Sequence, residues 1–280
     1  MASGFPGDKV STTWLKKQLD ENNTNNIRVL DVSWSMEKDC RTDYDLKHIP
    51  GAQYFEIMHN VENNEFFPWN FPSAAVFETY VQSLGISAEN HVVVYATCMP
   101  PGLNGYFVAG RAWLLFKRFG HTKVSILDGG FEKWIQDGFP TSSEVPTFDK
   151  GNFRSEVNPD IYKTYEQLTE NLNQGVVQVI DSRPPEKYII NDEAKTGHIR
   201  DAINIPFSLL MDDDTQTLKS QEKLKTLFEE KGVDLKKPIV TMCNSGMSSC
   251  TMAFAAQLLG ADSALYHGGW NEYRRKTNNS

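Results

Sequence analysis

Val29-Leu30-Asp31 recurs 150 residues later as Val179-Ile180-Asp181, and both triplets end a short apolar run. Further matches follow in the same order along the chain. They are His48-Ile49 with His198-Ile199 at an offset of 150, His91–Val94 with Pro238–Thr241 at 147, and Asp128–Phe131 with His267–Trp270 at 139. Ordered matches with a slowly drifting offset indicate two copies of one domain, of which the first has a longer loop.

The stretch between the copies has the composition of a linker. Residues 141–159 are rich in Pro, Ser, Asp and Gly and show no hydrophobic period. We therefore expect a first domain over residues 8–144, a linker over 145–158 and a second domain over 159–276.

Short apolar segments alternate with longer helical segments in each copy. The predicted strands are Ile27–Val32, Val92–Tyr95, Val124–Leu127, Val176–Ile180 and Ile239–Met242. The predicted helices are Thr13–Leu19, Ala75–Gly85, Gly105–Phe119, Tyr165–Leu172, Ser220–Lys231 and Ser249–Leu259. Thr164 and Gln167 form a capping box, and Gly85, Gly120, Gly232 and Gly260 fall at helix ends. The pattern predicts an α/β fold in which each domain is a parallel sheet flanked by helices on both faces.

Composition and charge exclude several classes of partner. The 280 residues are 40% hydrophobic and carry a net charge of −8, with 12 basic and 16 acidic residues in positions 1–140 and 16 and 20 in the rest. Neither half is basic, so nucleic acid and anionic membranes are poor partners. The stretch richest in apolar residues, Phe107–Phe116, is interrupted by Arg111 and is too short for a membrane span.

The cysteines and the first nine residues predict the compartment. Cys40, Cys98, Cys243 and Cys250 are few, are not spaced for zinc, and are expected to be thiols in a reducing compartment. Residues 1–9 lack the pattern of a signal or transit peptide. We expect a cytoplasmic monomer, and an additional mitochondrial pool is compatible with the sequence.

One loop combines a nucleophile with an anion cradle. It follows the predicted strand 238–242, precedes a helix, and consists of Cys243, Asn244, Ser245, Gly246, Met247, Ser248 and Ser249. Ligands of open parallel sheets gather at such strand ends. Small residues and a glycine let the backbone N–H groups turn inward, and with the helix start they would stabilise an anion. This environment favours a reactive thiolate at Cys243 over a merely packed cysteine.

The first copy has Ala96 at the position of Cys243, so we expect one catalytic and one non-catalytic domain. A cysteine phosphatase would need an arginine six positions after the cysteine to bind phosphate, and Ser249 stands there. A thiolate that accepts a sulfane sulfur as a persulfide needs only the cradle and a cation near the donor.

The motifs resemble those of one family. An aromatic residue, then three residues, then His-Ile-Pro-Gly-Ala, over Tyr44–Ala52, is similar to the signature of rhodanese domains. The duplication, the single cysteine loop in the second copy and Gly268–Trp270 resemble the two-domain thiosulfate and 3-mercaptopyruvate sulfurtransferases. The resemblance implies tandem rhodanese-like domains and a cysteine persulfide intermediate. It implies neither a metal nor an organic cofactor.

Several family positions differ in this chain. The loop resembles that of the mercaptopyruvate enzymes through Ser245 and lacks the Arg-Lys pair of the thiosulfate enzymes. A donor-binding arginine corresponds to Lys187, which keeps the charge and loses the planar fork. An Asp and a His that assist proton transfer correspond to Met58 and Trp69, neither of which carries an acid–base group.

Two functional hypotheses follow. In the first, Cys243 carries a persulfide between thiosulfate or 3-mercaptopyruvate and a thiol or cyanide acceptor. Asn244 to Ser249 bind the substrate, and Lys187 attracts its anionic end. In the second, the protein is a catalytically degenerate member of the family that binds anions, persulfides or a protein partner.

Overall fold

The computed structural model describes residues 6–21, 26–191, 196–212, 214–215 and 217–278, so part of the sequence start discussed above lies outside the described residues. The chain forms two compact units. The first comprises Met1–Val61, Phe71–Val157 and Asp213–Leu218, and the second comprises Glu62–Asn70, Asn158–Asp212 and Lys219–Ser280. Each unit thus includes a short segment from the other half of the chain.

Both units contain a five-stranded sheet in which every neighbouring pair of strands is parallel. The strands are β1 (Lys9–Val10), β2 (Ile27–Asp31), β3 (Ala52–Tyr54), β4 (His91–Tyr95), β5 (Val124–Leu127), β6 (Tyr162–Lys163), β7 (Gln178–Asp181), β8 (Ile203–Asn204), β9 (Ile239–Met242) and β10 (Ser263–Tyr266). The first sheet has the order β1-β5-β4-β2-β3 and the second β6-β10-β9-β7-β8. The two orders are equivalent, and the predicted α/β fold with tandem domains is confirmed.

Ten α-helices connect and cover the strands in the described part of the chain. They are α1 (Thr12–Asp20), α2 (Arg41–Leu46), α3 (Ala74–Ser83), α4 (Tyr106–Arg118), α5 (Gly130–Gln136), α6 (Tyr165–Gln174), α7 (Pro185–Tyr188), α8 (Gln221–Glu230), α9 (Ser248–Leu258) and α10 (Gly269–Asn278). The capping box of Thr164 and Gln167 is confirmed at the start of α6. The four predicted C-cap glycines all have positive φ, from +68° to +87°.

Strand side chains alternate between the two faces of each sheet. In the second unit Val240 and Met242 of β9 share one core with Leu168 of α6, and Trp270 of α10 packs against it. Thr241 lies between them in the strand and contacts α9 on the opposite face. Within the described ranges, none of the helices has both the length and the apolar character that crossing a membrane requires.

Candidate active site

Cys243 follows strand β9 directly, at the edge of the sheet where the strand gives way to helix α9. Its Sγ accepts hydrogen bonds from the N–H of Gly246 at 3.1 Å, the N–H of Met247 at 3.2 Å and the hydroxyl of Ser249 at 3.3 Å. The residue is only 4% exposed. The sulfur is therefore buried against hydrogen-bond donors and the start of a helix, a combination that stabilises negative charge on sulfur.

The start of helix α10 holds the loop from the other side. The N–H of Trp270 donates to the Cys243 carbonyl at 2.8 Å, and that of Asn271 donates to the Asn244 carbonyl at 3.2 Å. This approach requires glycine at position 269, since a Cβ there would lie 2.7 Å from the Asn244 oxygen. Both carbonyl groups thus bind α10, and the N–H groups that follow face the sulfur.

Gly246 makes the inward turn of the loop, with φ at +79°. A Cβ at this position would lie 2.9 Å from Cε1 and 3.0 Å from the carbonyl oxygen of His267, and closer still to Nδ1. His267 is fully buried and stacks on Phe67, with 5.2 Å between the ring centroids. The loop is therefore braced by an imidazole that has no room to move aside, and His267 is a packed histidine.

The other loop residues predicted to bind substrate differ in exposure. Asn244 is exposed, whereas Ser245 and Ser248 are half-buried. The Ser248 hydroxyl lies 2.9 Å from that of Ser182, which also donates to the Met242 carbonyl at 3.2 Å. Asn244 and Ser245 are thus the loop side chains most open to a bound donor.

The segment that carries Lys187 is anchored by a buried ion pair. Arg183 donates to the Asp181 carboxylate at 2.5–3.0 Å and to the Gly197 carbonyl at 2.6 Å. Its guanidinium also lies 5.0 Å from the Trp270 ring centroid. Lys187 is on the single-turn helix α7, and its side chain is exposed. The ion pair therefore fixes the backbone on which this lysine stands.

The first copy lacks the thiol at the equivalent strand end. Ala96 follows β4, which holds the same place in its sheet as β9. Asp31 matches Asp181, but its carboxylate accepts hydrogen bonds from hydroxyl groups and not from a guanidinium. The donors are the hydroxyls of Ser33 and Thr97, the latter at 2.6 Å. Burial raises the pKa of Asp31, and these hydrogen bonds oppose the rise. A methyl group thus stands where the second copy has sulfur.

The expectation that all four cysteines are thiols is wrong for two of them. Cys40 and Cys98 form a disulfide with 5.7 Å between their Cα atoms. Spacing could not predict this disulfide, because 58 residues separate the two cysteines. Their loops meet in the fold, where the Trp34 N–H donates to the Cys98 carbonyl at 3.1 Å. Cys250 is not part of a disulfide, which agrees with the expectation of a thiol, and it is fully buried in α9. The disulfide removes the cysteine argument for a reducing compartment.

The histidines that recur in the two copies, His48 and His198, both have structural contacts. The His48 ring lies within hydrogen-bond distance of two carbonyl oxygens, that of Tyr44 at 2.6 Å and that of Glu144 at 3.0 Å. The His198 ring lies 3.0 Å from the Tyr188 carbonyl oxygen. Each imidazole stacks on its tyrosine at 4.0–4.1 Å between centroids.

The residues at the two acid–base positions of the family also have other contacts. The Met58 sulfur accepts a 3.8 Å hydrogen bond from Arg111, and Trp69 belongs to the segment Glu62–Asn70 of the second unit. Across the described ranges, no three His, Cys, Asp or Glu side chains are grouped so as to hold a metal ion.

Sequence reasoning missed two contributors to this site. Ser249 was expected to offer its backbone N–H, and the structure brings its hydroxyl to the sulfur instead. Thr241 donates to the Ser249 carbonyl at 2.9 Å from within the buried strand. The sequence contained one signal for this contact. The predicted strand of the second copy has a threonine at position 241, where the matching strand of the first copy has Val94.

Comparison with known proteins agrees with this geometry. Residues 11–137 and 164–276 match the family model of the rhodanese-like domain. Thiosulfate sulfurtransferase of Rattus norvegicus is 37% identical, covering 95% of this chain and 92% of its own. The 3-mercaptopyruvate sulfurtransferase of Homo sapiens is 35% identical, covering 94% and 91%. The crystal structure of SseA from Escherichia coli, described as a 3-mercaptopyruvate sulfotransferase, has a TM-score of 0.82 at 27% identity and covers 94% of this chain and 98% of its own. The chain therefore belongs to the rhodanese family, with one rhodanese-like domain in each half.

Proposed function

We propose that this protein is a sulfurtransferase that moves a sulfane sulfur from thiosulfate or 3-mercaptopyruvate to a thiol or cyanide acceptor. The observation that carries the proposal is the set of three hydrogen bonds donated to the Cys243 Sγ. Relatives that are named for these two donors, at 37% and 35% identity, support the choice of donor class.

In the first step the Cys243 thiolate attacks the outer sulfur of thiosulfate. A bond forms between this sulfur and Sγ, the sulfur–sulfur bond of the donor breaks, and its electron pair leaves with sulfite. In the second step cyanide or a thiolate takes the outer sulfur of the persulfide, and the electron pair of that bond returns to Sγ. The N–H groups of Gly246 and Met247 stabilise the anion at both ends of the cycle.

The two donors make different demands on protons. Sulfite leaves as an anion, whereas the enolate that leaves from 3-mercaptopyruvate gains from a proton. Met58 and Trp69, at the positions of the family's acid–base pair, supply none, which favours thiosulfate. Ser245 in the loop favours 3-mercaptopyruvate by resemblance. Because these two features favour different donors, the preferred donor is to be determined from the ratio of the activities with thiosulfate and with 3-mercaptopyruvate.

The Lys187 ammonium is proposed to attract the anionic end of the donor. Because this side chain is exposed, its effect should be modest and should weaken with salt. Lys187→Gln should raise KM a few-fold and leave kcat nearly unchanged. Lys231→Gln removes the same charge from another exposed position and serves as the control.

The decisive experiment follows the sulfur itself. Purified protein is assayed with thiosulfate plus cyanide and with 3-mercaptopyruvate plus a thiol, and the treated protein is digested for mass spectrometry. A sulfur adduct of about 32 Da is expected on the peptide that contains Cys243, absent in Cys243→Ala and retained in Cys250→Ala. Failure of turnover with both donors, together with anion binding, would favour the degenerate binding protein instead.

The oligomeric state of the protein and its cellular compartment are predictions from the sequence. We propose a monomer, which light scattering on the eluting protein should report as a single species of 31.7 kDa. Cell fractionation tests the cytoplasmic assignment and any mitochondrial pool.

A further inference from the structure

Strand β9 carries a buried hydroxyl that the proposed chemistry does not use directly. Thr241 matches Val94 at the offset of 147 that relates the two copies, and both are fully buried. The Thr241 hydroxyl lies within hydrogen-bond distance of the Ser249 carbonyl at 2.9 Å and the Ala264 carbonyl at 3.3 Å. A hydroxyl buried in a strand is costly unless it has such partners. Here one partner belongs to the first turn of α9.

Ser249 connects this threonine to the sulfur. It is the second residue of α9, is fully buried, and donates its hydroxyl to the Cys243 Sγ at 3.3 Å. With its carbonyl bound by Thr241, the backbone that orients the hydroxyl is fixed to the strand that ends at the cysteine. The loop 243–249 contains neither lysine nor arginine, so its donors are neutral groups.

We propose that the Ser249 hydroxyl is a catalytic donor that stabilises the Cys243 thiolate, and that Thr241 is a positioning residue that fixes it. The inference rests on the proposed function for its catalytic meaning. Among the three donors, this hydroxyl is the one that a side-chain substitution removes without changing the backbone.

The experiment measures the rate at which iodoacetamide alkylates Cys243 as a function of pH, with the modified peptide quantified by mass spectrometry. Loss of one hydrogen bond to a charged sulfur should move the midpoint of Ser249→Ala about one pH unit higher, so that at a pH well below the wild-type midpoint alkylation slows about tenfold. Ser249→Thr keeps a hydroxyl and should stay near the wild-type midpoint. Thr241→Val should shift in the same direction by less.

Ser263→Ala is the matched control. Ser263 is also buried and donates to a carbonyl of α9, at Ala253, so its loss tests a serine-to-alanine change away from the sulfur. Its midpoint should equal that of the wild type. His267, which lies against Gly246, is present in every variant, so the variants are compared with the same neighbouring imidazole.

An unchanged midpoint in Ser249→Ala, or an equal shift in Ser249→Thr, overturns the inference. If the alanine variant does not fold, an unchanged midpoint in Thr241→Val overturns the positioning role. The persulfide adduct is measured separately, so that the two proposals can fail independently. If the adduct forms but Ser249→Ala leaves the midpoint unchanged, sulfur transfer is supported and the role of Ser249 is wrong. If the midpoint shifts but no adduct forms, Ser249 stabilises the thiolate and the proposed sulfur transfer is wrong.

Discussion

Gly246→Ala should nearly abolish the reactivity of Cys243, because the added methyl group collides with the residue that braces the loop. The new Cβ would lie 2.9 Å from the His267 Cε1 and 3.0 Å from its carbonyl oxygen, where carbon atoms in contact need about 3.5 Å or more. The imidazole is fully buried and stacked on Phe67, so the loop has to move by about 1 Å instead.

The N–H groups of Gly246 and Met247 lie 3.1 and 3.2 Å from Sγ, so a shift of this size takes them out of hydrogen-bond range. Each hydrogen bond to a charged group contributes about 1.5–3 kcal/mol. Losing both amounts to at least about 3 kcal/mol, or a hundredfold in rate. The left-handed backbone adds a further cost of about 1 kcal/mol in folding stability.

Gly260→Ala separates the two effects. Gly260 has the same φ of +79°, and a Cβ there meets nothing within 4 Å. Both variants should lose about 1 kcal/mol of unfolding free energy from backbone strain, and only Gly246→Ala should lose alkylation and sulfur transfer. The assays are urea unfolding, iodoacetamide alkylation of Cys243 at pH 7, and thiosulfate–cyanide turnover. Equal turnover in the two alanine variants would refute the reasoning.

Three further predictions concern stability. Burial lowers the pKa of His91 and of His121 to about 4. Between about pH 6.5 and 4 the unfolded chain therefore binds protons that the folded first unit does not, and each histidine should remove about 3 kcal/mol of stability as the pH falls through this window. An unfolding free energy that does not change with pH, measured by urea unfolding, would contradict this. Arg183→Met should cost about 3–5 kcal/mol because it leaves the buried Asp181 carboxylate without its guanidinium, and adding Asp181→Asn should recover part of the loss in the same assay. The disulfide of the first unit should appear as a cross-linked peptide pair in a non-reduced digest, and its reduction should lower the unfolding free energy by about 4 kcal/mol because it closes a 58-residue loop; two separate peptides would disprove it.

The fold was largely predictable because each element appears twice. The central strands β2, β4, β7 and β9 are largely buried and mainly apolar, and a pattern that recurs at a nearly constant offset rules out most other topologies. The short strands β1, β3, β6 and β8 have two or three residues, too few to show a period. Helices α5 and α10 begin at a Gly-Gly pair that gives no capping signal.

The site was predictable in kind but not in detail. A cysteine at a strand end, with small residues before a helix, predicted inward N–H groups. Which groups reach the sulfur depends on the +79° turn at Gly246 and on the packing of α10 against the loop, and neither can be obtained from spacing. The inclusion of Glu62–Asn70 in the second unit, like the disulfide, depends on contacts between residues far apart in sequence.

Both copies concentrate backbone N–H groups at the same strand end, and the group that fills this place decides whether chemistry is available. In the first copy the N–H groups of Thr97 and Cys98, just after β4, donate to the Ser33 Oγ at 2.7 and 2.9 Å, and that hydroxyl donates in turn to Asp31. In the second copy the residue that matches Ser33 is Arg183, which is held by an ion pair, and the N–H groups after β9 turn toward a thiol. The topology therefore places backbone N–H donors at this strand end in both domains. In the first domain a neutral serine hydroxyl accepts these N–H groups and has a structural role, whereas in the second a cysteine sulfur accepts them and is the proposed nucleophile. Ala96→Cys alone should therefore leave the first domain unreactive toward iodoacetamide, because Ser33 keeps the N–H donors of Thr97 and Cys98.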